Sequence, residues 1–237
     1  MAVRGVAVGT WLEFKQRLLR FTSLPHDRQR RFIFRGQADS SWALETTLDR
    51  KRKFASDKER EECRSRLVAE FRRLTRGLER EPTPARPDVD WELLGRHHGL
   101  PTPVLDWTMS PYIAAFFAFE AEPSPAPGNA VVWMLDRSVF LSTPVPEVQL
   151  IDSEDAAWFN PRAIEQRGVF LKVDTISKSL EDLLTPGLAR MTIPWSERPS
   201  VLADLDASLI NARSLFRDLD GAARTAATRV LSPGAQS

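Results

Sequence analysis

Apolar positions along the chain follow two periods, and they divide it into helical and extended stretches. Trp11, Phe14, Leu18 and Phe21 recur on one helical face. Thr10-Trp11-Leu12-Glu13 places a hydroxyl and a carboxylate at capping-box spacing, and Pro25 ends the pattern, so a helix is predicted over 10–22. In Arg31-Phe32-Ile33-Phe34-Arg35 the period drops to two, which sets Phe32 and Phe34 on one face and Ile33 and Arg35 on the other before Gly36. Residues Gln37 to Phe54 give mixed signals and read as loop and turn, with Trp42 and Leu44 buried. Ser56 and Glu59 form a second capping box, and Leu67, Phe71, Leu74 and Leu78 then make an apolar stripe on a long charged helix.

Pro82, Pro84 and Pro87 mark a loop, after which Asp90 can cap a short helix from Trp91 to His98 that Gly99 closes. The stretch His97 to Glu120, HHGLPTPVLDWTMSPYIAAFFAFE, concentrates the unusual residues of the chain. Ser110-Pro111 reads as an N-cap followed by an N1 proline, opening a helix that turns Ile113, Phe116 and Phe117 inward while Ala114, Ala115 and Ala118 allow close approach. Pro123 to Asn129 is a predicted loop, and Ala130 to Leu135 is a continuous apolar strand of the kind buried on both faces. Val169 to Val173 and Arg190 to Ile193 are further strands, Leu180 to Leu184 is a short helix, and Asp218 to Val230 is an alanine-rich closing helix. This irregular alternation predicts an α+β fold, a mixed or split β-sheet flanked by helices. With no composition shift to divide it, 1–237 reads as one domain with a frayed tail at 232–237.

Composition changes the picture little. Apolar residues make 42% of the chain and charged residues 27%, as in ordinary globular proteins. No apolar run is long enough for a membrane span and the first nine residues are too short for a signal peptide, so a cytoplasmic protein is expected, without membrane association. The single cysteine, Cys63, has no disulfide or metal-ligand companion. Charge is more informative. Residues 1–80 hold 20 basic against 11 acidic side chains, while the net charge of the chain is only +1. Either the basic part meets a polyanion, or the two parts neutralise each other across their packing surface.

Among groups able to carry chemistry, Arg35 ends an apolar strand before Gly36, which lets backbone or ligand come close. A guanidinium there can fork onto a diphosphate or carboxylate, or pair with Asp106 to hold two elements together. His97 and His98 end a short helix, so at most one faces inward, and no third ligand is spaced for zinc. Asp106 and Thr108 can cap the following helix or contact a ligand. The chain has no Gly-rich phosphate loop, G-x-S-x-G elbow or H-E-x-x-H, which argues against the common nucleotide, hydrolase and metalloprotease schemes.

Phe34-Arg35-Gly36-Gln37, then Trp42 and Leu44, then the His97 to Thr108 stretch with Ser110, resemble the FRG domain, named for its Phe-Arg-Gly motif. That family runs Gln-His-Tyr-Gly-Leu-Pro-Thr-Arg-Leu-Leu-Asp-Trp-Thr. Here His97, Gly99, Thr102, Asp106, Trp107 and Thr108 match, whereas Arg96 replaces the Gln, His98 the Tyr and Pro103 the Arg. Gln166-Arg167-Gly168-Val169-Phe170 is similar to a later family motif, and Leu215 to Gly221 to a C-terminal one, so the core of the resemblance covers about 31–224. It implies similarity to ADP-ribosyltransferases, with NAD as co-substrate and no metal, in a bacterial toxin or antiphage effector. In that reading Arg35 anchors the diphosphate. Glu165 or Gln166 meets the ribose or the electrophilic centre, and His97 contacts a ribose or the nicotinamide. Gly36, Asp106 and Thr108 complete the cofactor site. The acceptor is a nucleic acid or a protein, and an antitoxin or chaperone is an implied partner. Two other readings remain open, a non-catalytic nucleotide- or nucleic-acid-binding module and a metal-independent nuclease.

Overall fold

The computed structural model describes residues 3–78, 87–121, 123, 125–126, 128–142, 145–152, 164–185 and 187–231. One seven-stranded sheet organises them, flanked by helices on both faces, which makes the fold α+β. In chain order the strands are β1 Arg4–Ala7, β2 Phe32–Gln37, β3 Val104–Thr108, β4 Asn129–Asp136, β5 Val148–Asp152, β6 Gly168–Val173 and β7 Leu188–Pro194. Across the sheet they lie in the order β1-β7-β4-β2-β3-β6-β5. Only β1 and β7 pair in parallel; every other neighbour is antiparallel.

Strand β4 is central, as its unbroken apolar run predicts. It pairs with β2 from Phe32↔Asp136 to Gln37↔Val131 and with β7 from Asn129↔Pro194 to Leu135↔Leu188. Period-two alternation then splits the core. Phe34, Ala130, Val132 and Ile193 face one side, under α1 (Trp11–Thr22), α6 (Pro111–Glu120) and α9 (Arg198–Ala207). Ile33, Leu105, Trp107, Val131, Trp133, Val169 and Leu171 face the other, where Leu44 and the short helix α8 (Leu180–Leu184) cover them. A smaller cluster of Leu93, Val104, Ile151 and Phe170 lies under α5 (Asp88–His97).

Caps fix the helix starts. Thr10 Oγ1 accepts the Glu13 amide at 3.2 Å, and Glu13 reaches back to the Gly9 amide at 2.8 Å. Ser110 caps α6 through the Ile113 amide, with Pro111 in the first turn. Gly99, at φ +88°, terminates α5, and the Leu100 amide closes onto the Gly95 carbonyl at 2.8 Å.

Several predicted details differ. Residues 104–108, for which the pattern predicts no strand, form β3, and neither Asp106 nor Thr108 caps α6 through its side chain. Strands β1 and β5 and the short helix α3 (Thr47–Lys51) carry too few apolar signals to stand out in sequence. Helix α5 begins at Asp88 after Pro87, so Asp90 is not its cap. Trp42 is 45% exposed rather than buried. On α4 (Asp57–Thr75) the inward face is not the predicted stripe, since Leu74 and Leu78 are exposed. The buried face instead carries Arg60, Val68 and Thr75, with Phe71 edge-on to Trp91 at 6.0 Å. Two arginines displace the stripe: Arg60 forks onto Asp49 and donates to the Val173 carbonyl, and Arg64 pairs with Glu92. A reading that counts only apolar residues overlooks them.

Part of the charge asymmetry is taken up in packing. Lys15 pairs with Asp204 at 3.0 Å, Arg31 with Asp136 at 2.5 Å and Arg72 with Asp88 at 3.0 Å, each joining the basic and acidic parts of the chain. Among the described residues no helix is long and apolar enough to cross a membrane. Pro82 and Pro84 and the 232–237 tail lie outside the described residues.

Candidate functional site

Strands β2 and β3 share a single register pair, Phe34↔Thr108, and then diverge. The divergence leaves main-chain groups of β3 without a ladder partner, and Arg35 fills that gap. Its Nη1 donates to the Asp106 carbonyl oxygen at 2.7 Å, while its Nε is buried without a hydrogen-bond partner. Above this split lies a cleft of about 340 Å³. Its polar wall is made by Arg35, Arg96, His97, Asp106, Thr108 and Gln166, and its apolar wall includes Phe117, Phe170 and Phe216. The dimensions suit a small organic ligand, and aromatic rings beside convergent cations suit one with a ring and a negative charge.

The carboxylate of Asp106 is exposed to the cleft and held by Arg96 in a two-pronged pair, with Nε on Oδ1 at 2.6 Å and Nη2 on Oδ2. Arg96 also donates Nη1 to Thr47 Oγ1 at 3.1 Å, and Thr47 in turn takes the Thr102 amide at 3.0 Å. This chain of bonds joins α3, α5 and the segment entering β3. Desolvation works to raise the Asp106 carboxyl, but Arg96 foremost, then Arg35 and Arg50, hold it below the ordinary carboxylate range. Burial lowers the Arg35 guanidinium to about 10, with Asp106 opposing that shift and Arg96 and Arg50 adding to it. Arg35 remains a cation at neutral pH. The cleft thus sets two guanidinium groups, Arg35 and Arg96, beside one carboxylate, with the charge of Arg50 acting from nearby, an excess of positive charge.

Gly36 owes its identity to packing. A Cβ there would sit 1.9 Å from the Ala114 carbonyl oxygen and 2.7 Å from the Ala118 nitrogen, so α6 rests directly on the β2 backbone. Ala114, Ala115 and Ala118 are fully buried at this contact. The Phe-Arg-Gly triplet therefore sets a core phenylalanine, a cleft arginine and a helix seat on successive positions.

Of the residues singled out in sequence, Arg35, Gly36, His97, Asp106, Thr108 and Gln166 all line this cleft. Glu165 does not. Its side chain is exposed and its Oε1 accepts from Arg217 Nη1 at 2.5 Å, outside the cleft lining. The Thr108 hydroxyl is committed to structure, donating to the Gln166 carbonyl at 2.6 Å and accepting the Ser110 amide at 3.1 Å. Gln166 is anchored in turn through Nε2 on the Leu215 carbonyl at 3.2 Å. His97 and His98 meet edge to face with centroids 4.9 Å apart, and only His97 lines the cleft. Sequence reasoning missed Arg96 and the aromatic wall. Arg96 precedes His97 at the end of one helix and was legible as a cation, but its partner Asp106 becomes evident only once β3 exists.

Among the described residues no group of three or more His, Cys, Asp or Glu gathers where a metal ion could be held. No curated protein and no solved structure matches the chain. Residues 30–126 match the family model of the FRG domain. That match covers β2, β3 and α6, including Arg35, Arg96, His97 and Asp106, and so identifies the chain as one that carries an FRG domain.

Proposed function

We propose that the cleft binds a dinucleotide of the NAD class and that its chemistry is ADP-ribosyl transfer, as the FRG resemblance implies. The observation that carries this reading is Arg35, a cation on the cleft wall with a buried Nε that the protein itself leaves unpaired. A diphosphate would meet Arg35 amid the positive excess that Arg96 and Arg50 add, and a base or nicotinamide ring would lie against Phe117, Phe170 or Phe216. In the step itself the nicotinamide–ribose bond breaks, the bonding electrons leave with nicotinamide, and the oxocarbenium-like carbon is captured by a nucleophile of the acceptor, whose proton passes to a base or to water. Asp106 takes the electrophile-stabilising role here in place of Glu165, because it is ionised and faces the cleft.

A second reading, nucleotide binding without turnover, is favoured by one fact. The Asp106 carboxylate is already engaged by Arg96, so the cleft offers no carboxylate free of a partner. Calorimetry with NAD, run beside an assay for free nicotinamide and for label carried onto nucleic acid or protein from cell extract, separates the two. Binding with nicotinamide release supports transfer, binding without release supports the second reading, and absence of binding removes both. As a toxin or antiphage effector such a protein would act in the cytoplasm, where NAD and acceptors are both present.

A further inference from the structure

Outside the cleft, the segment between β2 and α4 presents an exposed aromatic ring, Trp42, beside the cation Arg50, with a second exposed cation, Lys51, next in the chain. Trp42 stands out from a turn whose backbone is pinned: the Ser40 amide donates to the Asn129 carbonyl at 2.9 Å, the Ser41 amide to Asp39 Oδ1 at 2.8 Å, and Gln37 Nε2 to the Ala43 carbonyl at 3.0 Å. Leu44 then enters the core and its amide donates to Glu181 Oε1 at 2.7 Å. An indole left 45% exposed between such anchors is held out by the fold rather than left loose.

Helix α3 is fixed just as firmly. Leu48 is buried, Thr46 caps the first turn, and Asp49 receives both prongs of Arg60 at 2.7 and 2.9 Å. Its last turn carries Arg50 and Lys51, both exposed, and neither side chain forms an ion pair or hydrogen bond among the described residues. Trp42 and Arg50 line one shallow concavity with Ala43 and Glu45, and Lys53 already neutralises Glu45. On its other side Arg50 is close enough to the cleft for its charge to act on both Arg35 and Asp106. Beyond α3, the Arg52 guanidinium lies 5.2 Å from the Phe54 ring centroid and is paired to Glu59.

We propose that Trp42, Arg50 and Lys51 form a binding track for single-stranded nucleic acid that leads into the Arg35 cleft. An unpaired base has a face to stack on the indole, and the flanking phosphates meet two cations without internal partners. An acidic peptide would use the cations and leave the ring unused, and a duplex hides the base faces. The track extends the reading above by naming its acceptor, yet it concerns binding without NAD and can be tested alone.

The test is fluorescence anisotropy with a labelled 12-nucleotide single strand, the same sequence as a duplex, and an acidic peptide as competitor, all without NAD. The single strand should bind more tightly than the duplex and resist the peptide. Trp42→Ala should weaken it by roughly fivefold or more. An Arg50→Glu, Lys51→Glu double variant should also flatten the dependence of log affinity on log salt, by about 1.4 for two lost phosphate contacts. Since all three side chains are exposed, an unchanged thermal melt checks folding, and Trp42→Ala should leave acceptor-free NAD cleavage at the wild-type rate. Equal binding of duplex and single strand, displacement by the peptide, wild-type affinity in both variants, or no binding at low salt would each overturn the proposal. Failure of NAD cleavage with single-strand binding intact would instead count against the transferase reading alone.

Discussion

At the residue scale, Arg35 and Asp106 do opposite things to an anionic ligand, and single substitutions should separate them. Arg35→Ala removes a charge-assisted hydrogen bond worth roughly 1.5–3 kcal/mol, so NAD affinity measured by calorimetry should fall about 10- to 150-fold. Arg35→Lys keeps the charge but not the planar fork and should recover only part of that loss. Asp106→Asn deletes the one carboxylate beside Arg35 and Arg96; it should tighten nucleotide binding while lowering any nicotinamide release, a split no simple folding defect would produce. Gly36 belongs to a different class. Its added Cβ would strike the Ala114 carbonyl, so Gly36→Ala should cost about 3 kcal/mol or more in denaturant unfolding. The same triplet should thus hold one residue whose loss costs ligand affinity and one whose loss costs the fold.

Among the elements, what was legible in sequence depended on where each buries its apolar groups. Helices α1 and α6 and strands β2, β4, β6 and β7 stand where caps and periodicity put them, because their apolar residues all enter the cores on the two faces of the sheet. Strand β3 was hidden behind its polar content: Asp106 and Thr108 face the cleft side while Leu105 and Trp107 go into the opposite core, an alternation that reads as loop beside Gly99, Pro101 and Pro103. Helix α4 misled for the converse reason, since its inward face is built on arginines. Arg60, whose side chain is 3% exposed, satisfies Asp49 and the Val173 carbonyl at once. Arg60→Ala strands Asp49, with an expected loss of about 3–5 kcal/mol by chemical denaturation. Thr47 and Arg96 illustrate the rest of the gap, because bonds across 49 positions cannot be read from local pattern.

Across the whole molecule, ion pairs of partly buried carboxylates set the response to pH. Burial opposes ionisation of Asp136 and Asp204, but Arg31 for the first, and Trp11 with Lys15 for the second, hold both below the usual carboxylate range. Arg229 does the same for Asp206. A folded-state pKa below the unfolded value means stability in full above pH of about 4, lost as pH falls through the folded values. Glu92 acts in the other direction: it is fully buried, desolvation raises it, and its cost disappears in acid. Lowered carboxylates, Asp106 among them, outnumber the raised Glu92, so thermal midpoints should hold steady from pH 7 to 5 and drop below pH of about 4. A profile that rises in acid would assign the larger share to Glu92.

The seating of Gln166 on the Leu215 carbonyl, with Phe216 beside it in the cleft wall, has a temporal consequence. The segment that matches the FRG family ends at residue 126, yet the cleft borrows Gln166 and Phe170 from β6 and its neighbourhood and Phe216 from near the last helix. During synthesis the ribosome would release Arg35, Arg96 and Asp106 long before their opposite wall exists. A pocket whose wall includes Phe216 stays incomplete in the nascent chain until that residue has emerged.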